Sequence, residues 1–178
     1  MKNKSDYLNV MIGSVNSPDM ILDYIYKNEN EIDFSYIDNK ENSFVHNTLI
    51  SDSGLGGGWA YDENALMKIV PELLKRNIEN INAKNKKGET LIDLAVGTRF
   101  SMKLLKILLE NGADIHQTKD LKKVHDTIEV CKTKYRHNKG YPKFLSWAAA
   151  QSESHEALMK EIDMLINENL VPSYQRNL

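Results

Sequence analysis

Pairs of helical segments run through the chain and limit the folds open to it. Apolar residues recur at intervals of three and four in four longer segments, and a shorter apolar segment precedes each of them. The longer segments are residues 18–25 with Ile21, Leu22 and Ile25, Asp62–Arg76, Met102–Asn111 and Glu156–Asn169. The shorter segments are Tyr7–Ile12, Thr48–Ser51, Thr90–Val96 and Phe144–Ala150. No alternating run is long enough for a strand, so the sequence predicts an all-α fold.

Residues at the segment ends favour the same helices. Ser17 and Ser101 are suited to be N-caps, and Pro18 to the first helical position. Gly112 follows the leucine-rich segment, where a left-handed residue commonly ends a helix. Pro71 removes one backbone hydrogen bond, so we expect a kink there or a helix that begins later.

The helix pairs superpose as an internal repeat. Aligning the short segments on Leu8, Ile50, Ile92 and Leu145 gives intervals of 42, 42 and 53 residues. The sequence therefore predicts one domain, residues 1–178, with units at about 5–46, 47–88, 89–120 and 142–170.

One unit carries a recognisable pattern. Residues 81–95 read INAKNKKGETLIDLA, and residues 108–115 read LLENGADI. This segment closely resembles the ankyrin repeat, whose Thr-Pro-Leu-His-Leu-Ala motif corresponds here to Thr90, Leu91, Ile92, Asp93, Leu94 and Ala95. The resemblance implies a short ankyrin-repeat solenoid of about four helix pairs.

The units are longer than the usual ankyrin repeat of about 33 residues, and the surplus marks three insertions. They are a glycine-rich stretch at Gly54–Tyr61, a longer first loop, and a long connection between the third and fourth units. In the last, Leu121, Val124, Ile128, Cys131 and Tyr135 follow helical spacing. We expect an extra amphipathic helix at about residues 119–140, because insertions in repeat arrays become surface elements.

Charge is distributed unevenly along the chain, although the formal net charge is only -2. Residues 29–63 contain eight acidic side chains and only Lys40 as a base, whereas residues 119–143 contain eight bases and three acids. Such asymmetry steers a charged partner to one face, although solvated charge is the commoner interpretation.

Catalytic and metal-binding patterns are absent or incomplete. The glycine run at residues 54–58 lacks the Lys and Ser or Thr of a phosphate-binding loop. His125, Cys131 and His137 are six residues apart and do not share one helical face, and nothing fixes a nucleophile near His46. We therefore expect no enzyme activity, no metal and no cofactor.

The resemblance implies protein recognition through loops and the concave surface of the shorter helices. The predicted contact residues are Tyr36, Asp38, Lys40 and Glu41 in the first loop, Lys84, Asn85, Lys86 and Lys87 in the second, and Trp59 and Tyr61 beside the glycine run. Gly88 is expected to serve the turn. The basic insertion, with Lys122, Lys123, Lys132, Lys134 and Arg136, offers a second surface for an acidic protein or, as a different class of function, for nucleic acid.

The biological role stays open between two alternatives. A bacterial effector that engages a host protein is the preferred hypothesis, and a cognate inhibitor that neutralises a toxin or effector enzyme is the other. The lone Cys131 excludes a disulfide within the chain and favours a cytoplasmic location, or a host cytosol for an effector. No apolar run approaches membrane-spanning length, so no membrane partner is expected.

Overall fold

A helix is found at each predicted segment that the structure describes, although the second short helix is Phe44–Ile50 rather than Thr48–Ser51. The computed structural model describes residues 3–14, 16–50, 63–97, 101–137 and 156–167, without the side chains of residues 63 and 131–137. The helices are α1 (Lys4–Ile12), α2 (Pro18–Lys27), α3 (Phe44–Ile50), α4 (Glu63–Arg76), α5 (Leu91–Gly97), α6 (Met102–Glu110), α7 (Leu121–His137) and α8 (residues 156–167), with a short 3₁₀ helix at Ile115–Gln117 before α7. These ranges contain no strand, so the all-α prediction is confirmed for them.

The predicted helix ends are confirmed where they are described. The Ser17 and Ser101 side chains accept hydrogen bonds from the backbone N–H groups of Met20 and Leu104, respectively. Gly112 has a positive φ of 90° after α6. The alternative that the helix containing Pro71 begins later than its apolar pattern was wrong, because α4 begins at Glu63 and continues through Pro71 to Arg76.

The helices pack in two layers. Helices α1 and α2, α3 and α4, and α5 and α6 contact each other as pairs. In one layer α1 contacts α3, α3 contacts α5, and α5 contacts α7; in the other, α2 contacts α4 and α4 contacts α6. Each pair therefore packs against the neighbouring pair in both layers. Fully buried side chains include Leu8, Ile25, Leu73, Leu74, Ile92, Leu105, Leu108 and Ile128.

Helix α7 occupies the next place in the layer of α1, α3 and α5. The extra helix predicted at about 119–140 is present as Leu121–His137, and it contacts α5. Helix α8 approaches α6 through an ion pair between Lys106 and Glu161, which raises the pKa of Lys106 above its usual value. The short helix predicted at 144–150, the glycine-rich stretch, Trp59 and Tyr61 lie outside the described residues.

The second unit begins earlier than the sequence alignment placed it. Ser43 and Thr90 each accept a hydrogen bond from the backbone N–H three residues later, so they occupy the same position before α3 and α5. Their separation is 47 residues, whereas aligning Ile50 with Ile92 gives 42. The sequence alignment was therefore five residues out, because it followed apolar spacing rather than the cap.

Candidate binding surface

Two loops that lead into α3 and α5 have the same internal hydrogen bonds. In the first loop (33–43), the Asp38 carboxylate accepts from the backbone N–H groups of Lys40 and Asn42 at 2.7 and 2.9 Å. In the second loop (82–90), the Asn85 side-chain oxygen accepts from Lys87 and Glu89 at 2.9 and 3.0 Å. All these positions are offset by 47 residues, so the two loops are structural repeats of each other.

The backbone follows the same repeat. The N–H of Asp38 donates to the carbonyl of Asn42 at 3.0 Å, and the N–H of Asn85 donates to that of Glu89 at 3.1 Å. Glu41 and Gly88, again 47 residues apart, both have a positive φ, of 61° and 74°. Gly88 therefore serves the turn, as predicted, whereas Glu41 holds a conformation that a side chain disfavours.

This shared position gives a paired test of loop strain. Replacing Gly88 with alanine is expected to lower the free energy of unfolding by about 1 kcal/mol, because a Cβ there meets no atom but is strained at positive φ. Replacing Glu41 with glycine is expected to raise it, by up to about 1 kcal/mol. Urea unfolding of both variants measures the effects; equal stability of the Gly88 variant and the parent would contradict the loop geometry.

Hydrogen bonds from both backbone and side chains join the neighbouring loops. The N–H of Lys86 donates to the carbonyl of Lys40 at 2.9 Å, which joins the tips of the first and second loops. The Lys119 ammonium donates to the carbonyl of Lys87 at 2.9 Å, and its N–H donates to the Asp93 carboxylate at 3.0 Å. The first loop, the second loop, the third loop (111–120) and the first turn of α7 thus form one continuous surface, called here the loop surface.

The third residues of α1 and α5 accept hydrogen bonds from the loops that follow in the chain. Asp6 accepts from the Tyr36 hydroxyl at 3.1 Å, and Asp93 accepts from the N–H of Lys119. Asp93 also accepts from the hydroxyl and N–H of Thr90, both at 2.8 Å. The Asp93 carboxylate therefore performs two tasks: it caps its own helix and holds the following loop.

His46 stands at the equivalent position of the second unit and is fully buried. Its Nδ1 lies 2.8 Å from the Ser43 hydroxyl and accepts from the Ser43 N–H. Burial lowers the pKa of His46, and the backbone of Glu89 and Ala83 in the second loop, together with the Asp38 and Glu89 carboxylates, opposes this shift only partly. The neutral ring is therefore part of the contact between the second and third units.

A pH-dependent stability follows from this buried ring. The folded-state pKa of His46 is lowered, so its contribution to stability is complete above about pH 6.5 and is lost as the pH falls from there towards the folded-state pKa. One such group changes the unfolding free energy by at most about 1.4 kcal/mol per pH unit. Urea unfolding is measured between about pH 5 and 7.5. The unfolding free energy of His46→Asn is expected to depend less steeply on pH than that of the parent. An identical pH dependence would contradict the buried, neutral state of the His46 ring.

Several predicted contact residues serve the loops themselves. Asn85 is only 5% exposed, and its side chain is occupied by the second loop. Asp38 is held by the first loop; burial raises its pKa, but bonds from Asn42, Asn47 and Lys40 outweigh this and lower it. Tyr36 stacks on Phe44 at 5.3 Å, and burial with its bond to Asp6 raises its pKa. These three residues stabilise the loops, because their side chains make hydrogen bonds or packing contacts within the protein.

Other predicted residues are presented outward. The exposed set on the loops and the first turn of α7 is Lys40, Glu41, Lys84, Lys86, Lys87, Lys122 and Lys123. The side chains of Lys132, Lys134 and Arg136 lie outside the described residues. The loop surface therefore brings together the predicted residues of both loops and the first part of the basic insertion.

Sequence reasoning missed the residues that join the units. His46 and Asp93, the latter as an acceptor of hydrogen bonds from two elements, were not singled out as structural. The signal was present as Ser43 and Thr90, each three residues before an acceptor side chain, which is the spacing of a capping box.

Within the described residues, no group of three or more His, Cys, Asp or Glu side chains is arranged to hold a metal ion. No helix in those parts of the chain has the length and apolar character needed to cross a membrane. Comparisons with protein-family models, curated proteins and solved structures found no match to this chain.

Proposed function

We propose that this chain is a noncatalytic, ankyrin-type repeat module that binds a partner protein through its loop surface. The observation that carries the proposal is the repeated loop: residues 38–42 and 85–89 share their hydrogen bonds and their positive-φ position. A repeated, exposed turn on a stacked helical array provides a continuous row of side chains for recognition.

The two-layer packing supports the ankyrin-type assignment. Short helices α3 and α5, of 7 residues each, lie in one layer, and the longer helices α4 and α6 lie in the other. The Thr90–Asp93 pair forms the cap and the bond to the next unit, which are tasks that the motif's threonine and histidine positions offer. These features complement the sequence resemblance of residues 81–115.

The distribution of exposed side chains supports the binding role. Asp38 and Asn85 hold the turns, so the side chains at the tips are not needed for the loop fold. Lys84, Lys86 and Lys87 make no side-chain hydrogen bond or ion pair with any residue that the structure describes. Because the hydrogen bonds of the turn already order its backbone, binding costs little backbone conformational entropy, which favours affinity.

Two biological roles fit such a module. Our preferred proposal is an effector that engages a host protein, and the alternative is a cognate inhibitor of a toxin or effector enzyme. Both require a protein partner on the loop surface, and they differ in where that partner is found.

Photo-crosslinking tests the proposal. A photoreactive amino acid is placed singly at Lys40 or Lys86 on the loop surface, and at Lys27 or Lys75 on α2 and α4 as matched controls. Lys27 and Lys75 are well exposed, at 71% and 67% of their side chains. Irradiation in lysates of the encoding organism and of host cells is expected to yield a discrete protein adduct from the loop positions only.

The lysate that supplies the adduct separates the two roles. A host protein supports the effector role, and a protein from the encoding organism supports the inhibitor role. If Lys27 and Lys75 gave adducts in the same yield as Lys40 and Lys86, the loop surface would not be the binding face. Adducts with nucleic acid alone would show that the partner is not a protein.

A further inference from the structure

The second and third loops present an unbalanced positive charge. Lys84, Lys86 and Lys87 are exposed within four residues, and Lys119, Lys122 and Lys123 are exposed where the chain enters α7. The hydrogen bond from the Lys119 ammonium to the Lys87 carbonyl places the two groups side by side. Six lysines therefore lie on one part of the loop surface.

The carboxylates in the same region are engaged within the fold. Asp93 accepts from Thr90 and from the N–H of Lys119. Asp114 accepts from the His116 N–H at 2.9 Å, and Asp120 accepts from the Lys123 N–H at 2.9 Å. Glu89 accepts from the Asn85 side-chain amide at 3.1 Å, and the six lysines outnumber these four carboxylates.

The first loop differs in sign. It carries exposed Asp33 and Glu41 against Lys40, and exposed Glu29 and Glu31 precede it. Since the Lys86 N–H is bonded to the Lys40 carbonyl, the acidic and basic parts are directly adjacent. At physiological ionic strength charges are screened beyond about 8 Å, so a partner responds to these local charges rather than to the net charge of the chain.

We infer that the basic part, Lys84, Lys86, Lys87, Lys119, Lys122 and Lys123, docks an acidic segment of the partner protein, while the acidic first loop fixes the direction in which that segment lies. The inference rests on the proposed binding role and adds the chemistry of the partner. Charge complementarity of this kind sets association rate and register.

A nucleic acid fits this surface less well than an acidic peptide. Its uniform negative charge would meet Asp33 and Glu41 at the first loop, where repulsion opposes binding. Base stacking needs exposed aromatic rings, and Tyr36, the aromatic ring of these loops nearest the tips, is half-buried against Phe44. A peptide with acidic residues at one end only can place that end on the basic part and keep its negative charge away from the first loop.

The test uses labelled synthetic probes and a pair of charge-matched variants. Fluorescence anisotropy measures binding of a deca-glutamate peptide, a deca-lysine peptide and an oligothymidine of similar charge to the whole chain. One variant carries Lys84→Gln, Lys86→Gln and Lys87→Gln, and the control carries Lys27→Gln, Lys68→Gln and Lys75→Gln on the other layer. Both variants lose three positive charges, and the control lysines are 55–71% exposed.

The parent is expected to bind deca-glutamate more tightly than oligothymidine, with an affinity that falls as salt rises. The loop variant is expected to lose at least about tenfold in affinity, and the control less than about twofold. Changing Glu41 to lysine is expected to strengthen deca-glutamate binding, since it removes the acidic neighbour. Circular dichroism verifies that each variant is folded, and Lys122→Gln with Lys123→Gln supplies a second loop-surface variant.

If the loop variant and the control lost equal affinity for deca-glutamate, the inference would be overturned, because the loss would then reflect the net charge of the chain alone. Tighter binding of oligothymidine than of deca-glutamate would refute the inference and indicate that the basic part binds nucleic acid. A failure to bind deca-glutamate would refute it as well. The photo-crosslinks from Lys40 and Lys86 are independent of these results, so a failed charge inference remains distinguishable from a failed binding role.

Discussion

Replacing Leu108 with alanine is expected to lower the free energy of unfolding by about 2–5 kcal/mol. Leu108 lies on α6 with 0% of its surface exposed, among the core residues shared by the stacked pairs. Removing its branched end leaves a cavity, since neighbouring helices are held on two sides and cannot fully close it.

The matched control is Lys86→Ala on the second loop. Its side chain is exposed, and its backbone N–H still donates to Lys40 after the substitution. We expect a change within about 0.5 kcal/mol, as for ordinary surface positions. Urea unfolding followed by circular dichroism measures both variants. A larger loss of unfolding free energy for Lys86→Ala than for Leu108→Ala would contradict the placement of Leu108 in the core and Lys86 on an exposed loop.

The helices were predictable because their apolar spacing and their caps are local. Ser17 before Pro18 and Ser101 before the leucine-rich segment define α2 and α6 without reference to distant residues. The same local information gave the turn at Gly88, whose positive φ is found in the structure. Local rules thus give the helix order and the loops that join them.

The register of the second unit was not obtained from apolar spacing. Helix α3 has apolar residues at Phe44, Val45, Leu49 and Ile50, so shifting it by several residues still leaves an apolar face. The hydrogen bonds of Ser43 with His46, repeated by Thr90 with Asp93, define one position uniquely. Side-chain caps carry register information that hydrophobic patterns lack.

The role of α7 depends on packing rather than on its own sequence. An apolar stripe that includes Val124 and Ile128 predicted a helix, and both residues are buried. Whether such a helix is an insertion or the next member of a layer is decided by what it contacts, here α5. Because α7 has 17 residues and α5 has 7, its length gave no indication that it continues the layer of α5.

The loop surface could be predicted only in part for a related reason. Exposure of the lysines follows from polarity, and it was expected for Lys40, Lys84, Lys86 and Lys87. Asp38 and Asn85 are equally polar, yet their side chains close the turns. Polar residues that accept N–H groups two and four residues later are structural, and this distinction requires the loop geometry.

Replacing Arg76 with alanine is expected to lower the free energy of unfolding by about 2–4 kcal/mol. Arg76 ends α4 and is only 14% exposed. Its guanidinium lies 2.9 Å from the carboxylates of Glu29 and Glu72, and it stacks on Tyr26 and Phe34 at 5.5 and 5.7 Å. It therefore joins α4 to α2 and to the first loop, and its loss removes packing as well as charge.

The acid dependence of stability is expected to change in the same variant. Hydrogen bonds from Lys75 and then Arg76 lower the pKa of Glu72 in the folded chain. A lowered carboxyl pKa contributes stability that is complete above the unfolded value of about 4.3 and is lost as the pH falls through the folded-state value. The unfolding free energy of Arg76→Ala is thus expected to fall less steeply below about pH 4.5 than that of the parent.

Arg76→Lys separates charge from shape. Lysine keeps the positive charge but lacks the planar fork that reaches two carboxylates and stacks on rings. We expect it to recover less than half of the lost stability, while Lys75→Ala, which removes an exposed partner of the same Glu72, costs less than about 1 kcal/mol. Full recovery by lysine would mean that charge alone joins these units; partial recovery means that the stacked guanidinium fixes the first loop, and with it the acidic end of the loop surface.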